Sequence, residues 1–545
     1  YPLRRQRQMC IRDRYITATL FVVAFLTRTL FITDFPEGFT PDEASFGYDA
    51  YSMLKTGKDQ WGVSFPLTLK SFGDYKLPLY SYLAMPSVAL FGLNEFSTRL
   101  PASLIGFLAV VVSYLLFSLL IDMAKLENKR IVKLLFLAMI ALSPWHISLS
   151  RGAFEANLSS LFMPLGMYLF FKAKNNRYLY VLSALSFGIN MFSYHSARII
   201  TPLVVLLLVW LARNKIQKTN LFLYGFVLLP FFLLSAYFLV FAGGGRLSTS
   251  TILSSGLSFG DNRFIAVSNG ANQLLSTIFH NKPSEVVVKF LENILSYLSP
   301  QYYLSEGARE ATYGMLPGQA IFDPITFVGL ILGFVYVVRS KSFTYLPIIV
   351  LASYVPAALS VGPGHAANRA ALVIPFLYYL AALGLGYFIR KLSSIRKQYG
   401  STLFALSLAS IVFLFVNFLF NYVYVQPTKA YEAMFSGIDS IVEESLPRGD
   451  LIVSRNISEA HIFFAFYSSM DPAVFQSFSK DWDLEGEGVA WVDQLSQWSL
   501  PATNFRSIDW VKDLQTNSTL VIKKGDLPDE VYIKNKHRII CWLCE

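Results

Sequence analysis

Long apolar runs separated by short polar connections dominate the first 424 residues. Eleven runs are candidates for crossing a bilayer, at about 15–33, 100–121, 131–148, 154–171, 178–194, 199–212, 221–241, 317–338, 343–361, 370–389 and 401–424. A helix needs about 20 mostly apolar residues to span the hydrocarbon core of a membrane. The pattern therefore predicts a mainly α-helical, polytopic membrane protein with about eleven transmembrane helices.

Every second short connection between these runs is basic. The basic clusters are Arg4/Arg5/Arg7/Arg12/Arg14, Lys125/Lys129/Arg130/Lys133, Lys172/Lys174/Arg177, Arg213/Lys215/Lys218, Arg339/Lys341 and Arg390/Lys391/Arg396/Lys397. Cytoplasmic loops of membrane proteins carry an excess of lysine and arginine, so we place these connections in the cytoplasm. The other loops and everything after residue 424 are then extracytoplasmic, and the protein is expected in the plasma membrane. Residues 1–14 weigh least here, because it is open whether they are native sequence.

One further apolar stretch, at about 79–92, is not counted as a span. It is short, contains Pro86, and is flanked by Pro78 and Asn94/Glu95 instead of basic clusters. We interpret it as an interfacial or re-entrant segment within a large first outer loop, roughly 34–99. A twelfth true span is the open alternative, and it would invert the side of every later loop.

The composition agrees with a membrane protein that carries an outer domain. The chain is 54% hydrophobic and 15% charged, with a mean hydropathy of +0.45, which is too apolar for a soluble domain. The cytoplasmic clusters account for most of the net charge of +10, so this charge does not indicate nucleic-acid binding. We expect a transmembrane domain over 15–424, with outer loops 34–99 and 242–316, and a small α+β domain over 425–545. Strand-like runs at 450–454 and 520–523 and a helix-like piece at 431–446 support the second domain.

The first outer loop begins with adjacent carboxylates, in the sequence Thr40-Pro41-Asp42-Glu43. Thr40 is suited to cap a helix, Pro41 suits its first position, and the two acidic residues complement the helix dipole. A pair of carboxylates beside a membrane span is also costly unless it has partners or a function. We expect both: the motif starts a helix and directs a carboxylate into a cavity.

Cations recur at the outward ends of the spans, where the positive-inside bias disfavours them. Those in question are Lys76, Arg151, Arg198 and Arg369, with His195 and His365 close to the last two. An anionic ligand such as a phosphate would explain this recurrent exception. Glu155 lies four residues after Arg151, which on a helix places both on one face, either as a structural ion pair or as part of a site. The spacing Cys541-x-x-Cys544 is a weak metal signal without a second pair.

Three segments together resemble a known family. They are Asp42-Glu43-Ala44 after the first span, Lys76-Leu77-Pro78-Leu79-Tyr80, and residues 91–102, FGLNEFSTRLPA. In combination they are similar to the integral-membrane glycosyltransferases of the GT-C superfamily. The branch most similar contains the protein O-mannosyltransferases and the aminoarabinose–lipid A transferase. The resemblance covers roughly residues 15–390.

The resemblance implies transfer of a sugar from a polyprenyl-phosphate carrier to an acceptor on the outer face of the membrane. By it, Asp42 is the catalytic base with Glu43 beside it, and Glu155 is a second acidic residue of the site. Lys76 binds the carrier phosphate, and the remaining candidates for phosphate or sugar contacts are Tyr80, Arg151, His195, Arg198, His365 and Arg369. Some relatives carry a glutamate, a candidate metal ligand, where this chain has Tyr75. A divalent metal therefore stays open, and no other cofactor is implied.

The chemistry agrees with these residue types. A phosphate-linked sugar already has a good leaving group, so a protein must orient the acceptor hydroxyl, take its proton and stabilise the phosphate. One displacement with one base implies inversion; retention would need a carboxylate nucleophile. The alternative is a transporter or flippase of a lipid-linked sugar, which would show matching halves and ionisable residues near span centres. The sequence does not identify the sugar, nor whether the acceptor is protein, lipid or glycan.

Overall fold

The computed structural model describes residues 2–71, 75–124, 126–214, 216–238, 251–253, 259–360, 368–482, 485–486, 488–489, 492 and 495–544. The helices of the apolar part and its first loop are α1 (Pro2–Thr29), α2 (Pro41–Thr56), α3 (Leu79–Phe91), α4 (Glu95–Met123), α5 (Lys129–Ala141), α6 (Pro144–Arg151), α7 (Ala156–Ala173), α8 (Arg177–Asn190), α9 (His195–Ala212) and α10 (Lys218–Tyr237). Next come α11 (Phe259–Ser268), α12 (Gln273–Phe279), α13 (Lys282–Leu298), α14 (Pro324–Ser340), α15 (Tyr345–Ala358), α16 (Ile374–Ile395) and α17 (Lys397–Tyr424).

Each of the eleven predicted apolar runs overlaps one or two of these helices, so the prediction of a mainly helical protein is confirmed. Five helical segments of the described chain are long and apolar enough to cross a membrane: Glu95–Met123, His195–Ala212, Lys218–Tyr237, Asn368–Ile395 and Lys397–Tyr424. The bent pair α5–α6, with an angle of 45°, makes a sixth if it counts as one span. Helices α14 and α15 are apolar but shorter. The protein is therefore a mostly helical membrane protein, and the number of eleven spans stays a prediction.

Contacts between helix ends bear on segment 79–92. The guanidinium of Arg99, in the second turn of α4, donates to the carbonyls of Ile32 and Pro36, at 2.9 and 3.1 Å, just beyond the end of α1. The end of α1 and the start of α4 therefore lie at the same end of the helix bundle. The first loop therefore begins and ends on the same side of the bundle. This is expected if α3, which is only 13 residues long, does not cross the membrane.

The C-terminal residues form a sheet covered by short helices. Its strands are β3 (Leu451–Ser454), β6 (Gln497–Leu500), β7 (Thr503–Arg506), β8 (Thr519–Lys523) and β9 (Ile539–Trp542), in the order β6-β7-β3-β8-β9. Only β6 pairs antiparallel; the others are parallel. Its helices are α18 (Gln426–Lys429), α19 (Ile438–Ser445), α20 (Ala460–Tyr467), α21 (Pro472–Ser479), α22 (Trp510–Asp513) and α23 (Asp529–Lys534). Parallel pairing requires crossover connections, so this region is closer to α/β than to α+β architecture.

Two short hairpins complete the strands: β1 (Leu69–Lys70) with β2 (Tyr75–Lys76), and β4 (Glu485–Gly486) with β5 (Gly488–Val489). The first loop and the C-terminal region share one hydrophobic cluster. Phe39 and Tyr48 pack there with Phe466, and the hydroxyl of Tyr467 donates to Glu95 at 2.6 Å. The end of the bundle that carries the first loop therefore also carries the C-terminal region.

Candidate active site

The start of α2 positions both carboxylates of the first loop. Thr40 is its N-cap, Pro41 is at the first helical position, and a reciprocal capping box joins the side chains and backbone amides of Thr40 and Glu43. The predicted helix start is confirmed. Since successive residues of an α-helix point about 100° apart, Asp42 and Glu43 face different surroundings although they are neighbours in sequence.

Glu43 is fully buried and fully paired. Its two carboxylate oxygens accept from Arg99 at 2.8 and 3.1 Å, and Oε1 also accepts from the backbone amide of Ala153 at 2.9 Å. Neither side chain of the Glu43–Arg99 pair is exposed. A buried ion pair of this kind needs additional hydrogen bonds to offset desolvation, and both partners have them. Glu43 thus joins the first loop, α4 and the segment between α6 and α7.

Asp42 is different, because its side chain is 42% exposed and has one charged partner. Its Oδ1 lies 2.5 Å from the ammonium of Lys76, whose own side chain is only 7% exposed. Lys76 comes from β2, and its ammonium sits 4.9 Å from the centre of the Phe46 ring. An aromatic face stabilises a cation without neutralising it. The geometry therefore presents a partly exposed carboxylate beside a buried lysine.

Tyr80 packs against Phe46, the ring that contacts Lys76. It is fully buried; its hydroxyl donates to the carbonyl of Thr98 at 2.8 Å, and its ring packs 5.1 Å from that of Phe46. The predicted contact of Tyr80 with a substrate stays a prediction. The observed contacts place it behind Phe46, where it fixes the ring beneath Lys76.

Tyr313 is the residue that sequence reasoning missed. It lies in a 3₁₀ turn, Ala311–Tyr313, and packs its ring 5.0 Å from that of Phe154. Burial raises the pKa of Tyr313, and the nearby groups that raise it further are Tyr194, Asp42, Glu155 and Glu310. Acidic residues from three different loops therefore act electrostatically on one phenol. The sequence signal was the aromatic and polar stretch before residue 317, which carried no motif of its own.

Arg151 and Glu155 do not lie on one helix, so that expectation is wrong. Helix α6 ends at Arg151 and α7 begins after Glu155, with Gly152 to Phe154 between them. The guanidinium of Arg151 donates to the carbonyls of Thr27, Leu30, Phe31 and Phe35 at 2.6–2.9 Å. These are the carbonyls around the end of α1, which have no partner within a helix. Arg151 caps α1 in this structure, and Glu155 is buried near Tyr313.

Three further predicted residues lie in segments next to Tyr194 or Glu310, two groups that act on Tyr313. His195 begins α9, directly after Tyr194. Arg198, one turn further, is buried, with its guanidinium 5.8 Å from the Phe192 ring centre. Arg369 is half-buried in a 3₁₀ turn, Asn368–Val373, whose first amide donates to Glu310 at 3.3 Å. His365 lies outside the described residues.

A second acidic pair lies close to Lys76. Asp49, on α2, is buried and accepts from the backbone and side-chain amides of Gln60 at 3.0 and 3.1 Å. Burial, with the neighbouring Asp59 carboxylate, raises the pKa of Asp49 to about 8, against the opposing effects of Gln60 and Lys76. Asp49 is therefore a second acidic group near Lys76, in addition to Asp42.

Among the described residues, no group of three or more histidine, cysteine, aspartate or glutamate side chains is arranged to hold a metal ion. Cys541 and Cys544 form a disulfide with a Cα–Cα distance of 5.6 Å. The two thiols are therefore bonded to each other in this structure.

A cleft of about 620 Å³ opens beside the Tyr313 turn, against the C-terminal region. Its lining includes Thr312, Lys429, Tyr431, Glu432, Lys523 and Trp542. Lys523 and Glu432 form an ion pair of 2.7 Å. The cleft thus combines aromatic faces, hydroxyls and charges, and it reaches within one residue of Tyr313.

The chain matches no family model and no curated protein. Among solved structures it is similar to ArnT from Cupriavidus metallidurans in the apo state, with 11% identity over 83% of each chain and a TM-score of 0.47. It is also similar to the undecaprenyl phosphate-bound form of that protein, with 12% identity over 97% of this chain and 88% of that one, at a TM-score of 0.45.

A further similarity is to the Archaeoglobus fulgidus oligosaccharyltransferase in complex with Zn and sulfate. It has 13% identity over 96% of this chain and 62% of that one, at a TM-score of 0.49. All of these are members of the GT-C superfamily, which the motifs of the first loop also resemble. At this level of identity and overlap, the similarity assigns a role to no residue.

Proposed function

We propose that this protein transfers a sugar from a polyprenyl-phosphate carrier to an acceptor hydroxyl, with Asp42 as the general base. The observation that carries the proposal is the ion pair between half-exposed Asp42 and buried Lys76 at 2.5 Å. It supplies a proton acceptor and a phosphate ligand side by side. The charges of Asp42 and Glu155 both raise the pKa of Tyr313.

The ion pair suggests how donor binding prepares the base. With no substrate, Lys76 is held by Asp42. A donor phosphodiester carries one negative charge and two free oxygen acceptors, and it competes with the Asp42 carboxylate for the ammonium. Its binding draws Lys76 away from Asp42 and leaves that carboxylate free to accept a proton from the acceptor hydroxyl.

The transfer then proceeds by one displacement. The acceptor oxygen attacks the anomeric carbon as its proton passes to Asp42, and the bond to the phosphate oxygen breaks with its electron pair. Lys76 stabilises the departing phosphate, and Arg369, Arg198 and His195 are the further candidates for phosphate or sugar contacts. The product has inverted anomeric configuration. The cleft beside Tyr313 provides the route for the acceptor.

We place the site and the C-terminal region on the extracytoplasmic face of the plasma membrane. The basic loops support this orientation, and the contacts of Arg99 and Arg151 support a first loop that stays on one side. A topology reporter fused after Lys218 should be cytoplasmic, and one fused after residue 425 should be extracytoplasmic. A cytoplasmic reporter at 425 would show that α3 crosses the membrane and would overturn the orientation.

A transfer assay on detergent-purified protein tests the reaction. The donor is a polyprenyl-phosphate sugar labelled in the sugar, and envelope extracts divided into protein, lipid and glycan fractions serve as acceptors. Wild-type protein should label one fraction with inverted configuration, and Asp42→Asn should label none. Label that crosses a vesicle membrane while still attached to the carrier, with transfer to no fraction, would instead identify a flippase.

A further inference from the structure

Three consecutive helices after α10 carry apolar side chains that the described protein leaves uncovered. Six of them, each 49–74% exposed, are Phe264, Leu274, Phe279, Val287, Leu291 and Leu295. They come from α11, α12 and α13. Contiguous exposed apolar surface on this scale usually marks a contact with another protein or with a membrane.

Helix α13 shows how these side chains are organised. Val287, Leu291, Leu295 and Leu298 follow each other at spacings of four, four and three, which places them on one stripe. The charged residues follow a second stripe, formed by Lys282, Glu285, Lys289 and Glu292. A third edge, with Asn293 and Tyr297, is buried. The helix therefore has one edge for the protein, one for water and one apolar stripe that remains exposed.

The buried edge fixes the position of α13 along the bundle. The side-chain amide of Asn293 donates to the carbonyl of Ala358 at 2.8 Å, and the Tyr297 ring stacks on that of Tyr354 at 5.2 Å. Ala358 is the last residue of α15, and Tyr354 is one turn before it. Helix α13 therefore lies against the C-terminal end of α15, an apolar helix.

The neighbouring helices continue the same arrangement. Asn262 of α11 donates to Glu285 of α13 at 3.3 Å, so polar residues of the two helices meet. Lys289 and Glu292 form an exposed ion pair of 3.2 Å. Charges gathered on one side and large apolar side chains on the other are typical of helices that lie in a membrane interface.

We propose that α11, α12 and α13 form a docking platform that inserts its apolar side into the membrane leaflet nearest the C-terminal end of α15. The occupant of the exposed stripe is lipid, because the stripe lies at the level of the end of α15 and opposite the charged stripe. The platform leads through residues 299–310 to Tyr313. Its contact with lipid holds the turn beside Asp42 at a fixed depth, whatever reaction the site performs.

Spin labelling of the full-length protein in lipid nanodiscs tests the proposal. Cys10 is replaced by serine, and the disulfide keeps Cys541 and Cys544 unreactive. A nitroxide is attached through Leu291→Cys or Leu295→Cys on the apolar stripe, and through Glu292→Cys on the charged stripe as the matched control. Gel filtration and thermal unfolding select labelled proteins that are folded, and two apolar positions guard against the loss of one.

Oxygen concentrates in lipid and a nickel chelate in water, so their relaxation of each label reports its surroundings. Labels at 291 and 295 should respond several-fold more to oxygen relative to nickel than the label at 292. Nickel-dominated relaxation at 291 and 295 would mean that the stripe faces water. Protection from both reagents would mean that protein, such as a second copy of the chain, covers it. Either result would overturn the proposal.

Discussion

Two ion pairs that begin at neighbouring residues of α2 have opposite characters. Glu43 and Arg99 are fully buried and share their hydrogen-bonding capacity with backbone groups from several segments. Asp42 and Lys76 lie 2.5 Å apart, and the Asp42 side chain is 42% exposed. A buried pair is hard to break without loss of the fold, whereas a half-exposed pair can exchange partners. The comparison indicates that Glu43 stabilises the structure of the site, whereas Asp42 is available to react.

The largest effect is expected from Glu43→Gln. This change keeps the shape of the side chain but leaves the buried Arg99 charge without its counter-charge. Loss of one partner of a buried pair costs about 3–5 kcal/mol of stability. Thermal unfolding in detergent should show a clear fall in the midpoint. The matched control is Asp42→Asn, which should cost no more than about 1 kcal/mol. A stable Glu43→Gln protein without transfer activity would instead make Glu43 part of the reaction.

The second largest effect is expected at the ion pair between Asp42 and Lys76. Lys76→Ala removes a charge-assisted contact to the donor phosphate, worth about 1.5–3 kcal/mol, which corresponds to roughly a ten- to hundredfold loss of affinity. Titration of purified protein with a polyprenyl phosphate measures it. Lys55→Ala, which changes an exposed lysine in the last turn of α2, is the control. Equal affinities for the two variants would make Lys76 an ordinary interface anchor.

Asp49→Asn tests how the stability of the protein depends on pH. Because its pKa is raised to about 8 by burial and by Asp59, Asp49 favours folding while protonated, and this contribution is lost as pH rises towards 8. Wild-type protein should therefore lose on the order of 1 kcal/mol of stability between about pH 6 and pH 8, and the variant should not. Thermal midpoints across this range provide the test. Parallel pH curves would show that Asp49 does not titrate there.

The smallest effect is expected from Tyr313→Phe, which removes one hydroxyl among the acidic groups of the site. A hydrogen bond of about 0.5–1.5 kcal/mol corresponds to at most about a tenfold lower transfer rate. Tyr178→Phe, at an exposed tyrosine of α8, is the matched control. Steady-state transfer rates for the two variants check this. Identical rates would place Tyr313 outside the reaction.

Local rules predicted much of the structure. Apolar runs located the helices, and Thr40-Pro41-Asp42-Glu43 located a capped helix start, because caps depend on residues close in sequence. The sequence also placed Asp42 and Lys76 in one loop. The partner of Glu43 could not be predicted, since Arg99 lies 56 residues away and any of several outward cations had the right charge.

The contacts of Arg151 also could not be predicted from the sequence. An arginine at the outer end of a span is consistent with an anionic ligand, but the end of a buried helix needs donors just as much. Which of these needs Arg151 meets depends on the position of the α1 carbonyls, and those are more than a hundred residues away. The roles assigned to Glu155, His195, Arg198, His365 and Arg369 stay predictions.

The separate roles of Glu43 and Asp42 are tested most directly with the Asp42→Asn variant. Its donor binding, its transfer rate and its thermal midpoint are measured together. The amide cannot take a proton, and it no longer holds Lys76 with a charge. We expect no transfer, a thermal midpoint close to that of wild type, and polyprenyl phosphate affinity that is unchanged or higher. Near wild-type transfer would contradict Asp42 as the base. Loss of transfer together with binding and stability would show that Asp42, like Glu43, holds the structure together.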